Sequence, residues 1–166
     1  MLSLADAVRA LLLLILANSL PWISARLLGR RWTAPLDLGV TLRDGRRLLG
    51  SHKTWRGIIA AACGCALAAA LAHLHWRTGA EFAALSLLGD ALSSLCKRRL
   101  GIKPGVDVAL LDQLPEALLP LIALRGPLGL GSVGIAAVAA VFALLDMLAS
   151  PARRCGAPSA LRDMRG

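Results

Sequence analysis

Between Gly89 and Leu118 the chain reads GDALSSLCKRRLGIKPGVDVALLDQLPEAL, a run of acids, bases and hydroxyls in a sequence otherwise dominated by Ala and Leu. On a helix, Ser86, Asp90, Ser94 and Lys97 follow one another at three- or four-residue steps and share one face. Asp90 then lies about 10 Å, two turns, from the charged end of that helix. An ionisable group this deep in an apolar helix is a functional-site candidate, because it must face a partner or a wet cavity. The structural alternative is an ion pair with Lys97 or Arg98. A basic loop broken by Gly101, Pro104 and Gly105 follows, then Asp107, Asp112-Gln113 at the mouth of the next apolar segment, and Glu116. Asp112 also suits a helix amino terminus, where the dipole favours an anion. Two carboxylates on neighbouring helices, Asp90 and Asp112, above clustered Lys and Arg suit Mg²⁺ and a polyphosphate. Carboxylate oxygens hold the cation, which keeps several waters and bridges phosphates, and the bases neutralise the remaining charge.

A second cluster, GSHKTWRG from Gly50 to Gly57, precedes another apolar run. It offers Ser51, His52, Lys53, Thr54 and Arg56 between glycines that let backbone approach a ligand. Taken alone it reads as an interfacial anchor with Trp55 at headgroup depth. Taken with the first cluster, it reads as a second phosphate-binding segment.

These groups need elements to position them, and the composition says which. Of 166 residues, 57% are hydrophobic and only 17% charged, against about 45–50% and about 25% in an ordinary soluble domain. A single soluble core of this size could not bury so much apolar sequence. The class is therefore all-α integral membrane, one membrane-embedded domain over residues 1–166. Four segments approach the roughly 20 apolar residues that a crossing needs: Leu4–Ile23, Gly57–Trp76, Ala80–Cys96 and Leu128–Ser150. A shorter fifth, Leu110 to Leu124, carries Pro115 and Pro120. Ala60, Gly64 and Ala68 recur every four residues, a spacing that permits close helix approach.

Basic residues orient the chain. Eight fall between the first two segments, four follow the third (Lys97, Arg98, Arg99, Lys103), and the tail holds Arg153, Arg154, Arg162 and Arg165. Five crossings put all three groups on one side, which becomes cytoplasmic, with the amino terminus outside and the carboxyl terminus inside. Only Arg9, Arg77 and Arg125 remain for the other side. The net charge of +9 points to headgroups or a phosphate-bearing substrate. With two Phe, four Trp and no Tyr, a stacking platform for nucleic acid is poorly supplied. Cys63, Cys65, Cys96 and Cys155 show no metal-ligand spacing and read as small buried hydrophobes without disulfides. His73 and His75 read as interfacial, and Asp146 either serves the site or hydrogen-bonds across helices.

At these residues the chain resembles the CDP-archaeol synthases, small relatives of the phosphatidate cytidylyltransferases. The resemblance rests on GSHKTWRG and on the spaced motif GD-x3-S-x2-KRR-x-GIKPG-x6-DQ from Gly89 to Gln113. It implies five membrane helices, Mg²⁺, and transfer of a cytidylyl group from CTP to a lipid phosphate with release of pyrophosphate. In archaeal members that lipid is an unsaturated isoprenoid ether. On matching positions Asp90 and Asp112 would ligate metal. Ser94, Lys97 and Arg98 would hold the nucleotide's phosphates, and His52, Lys53 and Arg56 the triphosphate or the lipid phosphate. Lys97 is placed with the two aspartates in the catalytic set, while Thr54, Lys103 and Gln113 complete the candidate binding set. The departure is Pro115, where the family carries an acid; Glu116 follows it.

Such a site belongs at the inner face of the cell membrane, where cytosolic CTP and a bilayer lipid meet. The partners are CTP, a lipid phosphate and the bilayer, with no nucleic acid; oligomeric state is left open, a homodimer included. The alternative from another class is a small membrane scaffold or transporter whose basic loops only set topology. DGRRLLG at Asp44 begins like the signature of the CDP-alcohol phosphotransferases and then departs from it, which removes that enzyme class.

Overall fold

The computed structural model describes residues 3–29, 31–36, 53–102 and 109–155. They form five helices: α1 (Leu4–Leu28), α2 (Trp55–Leu71), α3 (Trp76–Arg99), α4 (Ala109–Ala123) and α5 (Ser132–Cys155). The all-helical class and the number of elements agree with the sequence pattern. Among the described residues, two stretches are long and apolar enough to cross a membrane, Leu4–Leu28 and Ser132–Ala149; Trp55–Leu71 is apolar but shorter. The α3 helix is long but carries ionisable residues along its length, and the 15 residues of α4 rise only about 22 Å.

Several boundaries differ from expectation. α1 runs five residues past Ile23, through Pro21. The second apolar run does not continue to Trp76: α2 stops at Leu71, and Trp76 opens α3. The cause lies in the turn, where His73 adopts φ 59°. The Leu74 amide donates to the Ala69 carbonyl at 2.8 Å and the His73 amide to that of Ala70 at 3.1 Å. This left-handed cap satisfies the carbonyls a helix end leaves open. The same device closes α3 at Gly101 (φ 74°), where the Ile102 amide reaches the Lys97 carbonyl at 3.0 Å. α5 begins four residues later than Leu128, because Leu128 and Leu130 are buried in the turn that precedes it.

The bundle is held by close approach. α2 packs on α1 and α3, α3 on α4 and more lightly on α1, and α5 rests on α1 and α4. The deepest stripe of α2 is Gly57, Ala61, Cys65 and Ala69, one residue along from the expected Ala60, Gly64 and Ala68. The reason is that α3 presents Gly79 there: a Cβ on Gly79 would lie 2.1 Å from the Cys65 carbonyl oxygen. The same stripe also meets α1, where Gly57 lies against Pro21 and the Cys65 thiol donates to the Leu13 carbonyl at 3.7 Å, and Gly64 faces α1 against the Leu20 side chain. α3 meets α4 in the same way, since a Cβ on Gly89 would lie 2.3 Å from the Pro115 carbonyl oxygen and 2.7 Å from Glu116 Cα. Of the described cysteines, Cys63, Cys65 and Cys96 are free thiols. Only Cys65 is buried as expected; Cys63 and Cys96 sit on exposed helix faces.

Two substitutions probe these contacts. Gly79→Ala should destabilise the protein by about 1–3 kcal/mol, because the obstacle is backbone and the helices must separate. His73→Gly should stabilise it by about 0.5–1 kcal/mol by relieving the left-handed backbone of a side-chain-bearing residue. Thermal unfolding in detergent, followed by tryptophan fluorescence, checks both signs.

Candidate functional site

The site is built at the end of the bundle where α1 finishes and α2 begins. Pro35 and Thr54 form an isolated antiparallel bridge. The Leu36 amide donates to the Lys53 carbonyl at 2.7 Å, and the Trp55 amide to the Ala34 carbonyl at 3.2 Å. Residues 34–36 and 53–55 are thus tied together whatever the intervening chain does. Thr54 stands at the amino-terminal cap of α2 in extended conformation, and its carbonyl accepts from the Gly57 and Ile58 amides.

With its carbonyl held by the Leu36 amide, Lys53 extends to α3, where its ammonium pairs with the Asp90 carboxylate. The lysine side chain is 16% exposed and the aspartate 42%. The pair therefore joins an enclosed base to an acid that solvent or a ligand can still reach. Asp90 lies at the edge of the buried face of α3, beside Gly89 and Ser93. The Ser93 hydroxyl donates to the Asp90 carbonyl at 2.9 Å. Ser94 and Lys97, one and two turns on, are half-buried, whereas Ser86 is fully enclosed. The expected face is accordingly divided: its inner member packs and its outer members stay accessible. The partner the structure shows for Asp90 is Lys53, from the other polar segment.

Arg56 has a different position from the one expected of a phosphate ligand. It is 7% exposed, and its Nη1 donates to the Gly29 and Arg31 carbonyls at 2.7 Å each. Those carbonyls lie at the carboxyl end of α1, where a cation is favoured and acceptors lack helical donors. Arg56 thus clamps α1 to α2 and supports the adjacent Lys53. Gln113, another candidate ligand, is also buried; its amide donates to Asp146 of α5 at 3.2 Å. Asp146 accepts in addition from Asn18 of α1 at 3.4 Å.

Asp112 belongs to α4, three residues before Pro115 and four before Glu116. Helical register puts its backbone on the side that meets α3 at Gly89. The side chains of Asp112 and Arg98, and the whole of His52 and Lys103, lie outside the described residues. Asn18, Ser93 and the carbonyls of Gly29 and Arg31 were missed from sequence. Asp146, an acid within an apolar run, is the member of this network that the sequence signals, and it hydrogen-bonds across helices.

Among the described residues no three His, Cys, Asp or Glu side chains group closely enough to cage a metal. A small hard dication that keeps most of its water needs few protein oxygens. Asp90 supplies a partly open carboxylate, and the Asp112 segment lies on the facing helix surface. Such an ion would take its remaining oxygens from water and from a phosphate-bearing ligand.

A family model described as CarS-like, CDP-archaeol synthase, matches residues 4–82. The chain is 41% identical over 103 residues to the CDP-archaeol synthase of Thermofilum pendens, covering 59% of this chain and 50% of that one. It is 39% identical over 118 residues to the CDP-archaeol synthase of Aeropyrum pernix, covering 68% and 64%. The matches thus span between half and somewhat under two thirds of these relatives. A solved structure described as an intramembrane enzyme for archaeal membrane lipids biosynthesis superposes with a TM-score of 0.67 at 34% identity, covering 84% of this chain and 91% of that one.

The Arg56 clamp is open to test. Arg56→Met leaves the Gly29 and Arg31 carbonyls without their donor and should lower stability by about 1–2 kcal/mol. Chemical denaturation in detergent would read the loss, and a change below about 0.5 kcal/mol would mean that water replaces the guanidinium.

Proposed function

The chain belongs to the CDP-archaeol synthase family, and from that premise we propose that it transfers a cytidylyl group from CTP to a lipid phosphate within a membrane. The observation that carries this reading is the Lys53–Asp90 pair. It brings together two polar segments lying 37 residues apart in sequence, at one end of a helical bundle with membrane-length apolar elements.

All five helices cross the bilayer in this reading, with the amino terminus outside and the site at the cytoplasmic face. The asymmetry of basic residues supports that orientation. The short α4 is accommodated by its contact with α3 and by local thinning of the bilayer. The acceptor in this reading is the phosphate monoester of an isoprenoid ether glycerolipid, which the relatives' shared name, CDP-archaeol synthase, supports.

In the reaction a lipid phosphate oxygen bonds to the α-phosphorus of CTP while the bond from that phosphorus to the bridging oxygen breaks, and pyrophosphate leaves. The attacking oxygen is already anionic near neutral pH, so the demand is for positive charge, not for a strong base. Lys53, Lys97, Arg98 and Lys103 supply it, with His52, Thr54 and Ser94 as further donors to phosphate oxygens. Asp90 and Asp112 would hold Mg²⁺, which when bound offsets the repulsion between the two anions and the charge on the leaving pyrophosphate. Arg56 and Gln113 act behind this set by fixing the segments that carry it.

Purified protein with CTP, Mg²⁺ and a panel of lipid phosphates, ether and ester, should yield a CDP-lipid identifiable by mass spectrometry. Asp90→Asn should lower turnover by about 100-fold or more, since it removes an interaction made to the reacting phosphates. Full turnover in both Asp90→Asn and Asp112→Asn would remove the metal assignment. A wild-type protein that never consumes CTP would leave the scaffold or transporter reading in its place.

A further inference from the structure

Asp146 lies well inside α5, and the transfer chemistry does not use it. Its two carboxylate oxygens accept from two other helices: Oδ1 from Asn18 Nδ2 of α1 at 3.4 Å, and Oδ2 from Gln113 Nε2 of α4 at 3.2 Å. α5 packs against α1 and α4, so this one side chain spans both seams. Its α4 partner is 5% exposed and adjoins Asp112 in sequence.

The α4 end of this bridge is the part of the helix least able to hold itself. Pro115 has no amide hydrogen, so the carbonyl four residues earlier, at Leu111, receives no helical bond. The turn from Ala109 to Leu114 is therefore tied to the rest of α4 by fewer backbone bonds than an ordinary helical turn. A side-chain brace from a neighbouring helix can replace that constraint, and Gln113–Asp146 is placed to do so. The departure at Pro115 and the acid at Asp146 become two halves of one arrangement.

We propose that Asp146 is a positioning residue: through Gln113 it braces the first turns of α4 against α5 and α1, and so fixes the segment bearing Asp112 opposite Asp90. This rests on the cytidylyltransferase reading for its kinetic expression, but not for its structural one. A brace of this kind acts on the cation and nucleotide held by that segment, and leaves the lipid's own contacts alone.

The test uses the full-length protein in detergent with four forms: wild type, Asp146→Asn, Gln113→Glu, and the double exchange. In the double form the amide and the carboxylate trade places. The amide now on α5 accepts from Asn18 and donates to the carboxylate now on α4, so the chain of hydrogen bonds is restored. Each single variant should raise the KM for CTP about fivefold or more, leave the KM for the lipid phosphate within about twofold, and recover at least half of the loss in the double form. Mn²⁺ titration in the presence of CTP, read by electron paramagnetic resonance, should show the same weakening and recovery without turnover. A uniform fall in kcat with both KM values unchanged would mean that Asp146 only sets the folded fraction, and would overturn the proposal. Non-recovery in the exchange, with the double form melting like wild type, would overturn it as well. If wild type makes no CDP-lipid, the function assigned above fails by itself, and the Mn²⁺ titration still decides whether Asp146 acts on α4.

Discussion

The arrangement depends on an ion pair that low-dielectric surroundings make hard to leave unmatched. Lys53 is largely enclosed, and an enclosed ammonium without a counter-charge is strongly disfavoured. Asp90 of α3 supplies that charge, so the start of α2 cannot drift from the middle of α3 without exposing the deficit. Because Asp90 keeps nearly half of its surface open, the pair is held without being sealed. That combination, one partner fixed and the other reachable, is what a site for an incoming anion and cation requires.

Everything around the pair serves to hold its two ends. On the Lys53 side, a two-residue backbone bridge to residues 34–36 fixes the main chain, and Arg56 pins the end of α1 through the Gly29 and Arg31 carbonyls. On the Asp90 side, Gly89 lets α3 meet α4 backbone to backbone at Pro115 and Glu116. In a lipid environment no hydrophobic force draws helices together, so van der Waals contact at small residues and hydrogen bonds across helices must do so. Gly79 on Cys65, Gly89 on Pro115, and Asn18 and Gln113 on Asp146 are the instances of these two devices.

Basic side chains that look equivalent in sequence divide by burial. Lys53 and Arg56 stand three residues apart in one motif, yet one meets a carboxylate that could face substrate and the other meets helix-end carbonyls. A guanidinium with several donors suits diffuse acceptors at a helix terminus, whereas a lysine offers a compact charge to a single carboxylate. The same division separates the buried Ser93 from the half-buried Ser94. Inward members of the motifs organise the backbone, and members at the edge remain available.

The sequence alone determined the helical class, the five segments, and the two polar stretches that Lys53 and Asp90 join. These follow from composition and from spacing along the chain, which local physics reads directly. It did not determine that α2 ends at Leu71, because a left-handed histidine cap has no strong local signature. Nor did it decide that the tightest α2 stripe runs through Cys65 and not Gly64. Which face is closest depends on where Gly79 of α3 and Leu13 and Pro21 of α1 arrive. The partner of Asp90, the inward turn of Arg56 and the bridge made by Asp146 were likewise settled by the tertiary structure alone. Each joins residues distant in sequence, and a hydrogen bond or ion pair is selected by three-dimensional proximity, which no spacing rule within a single helix contains.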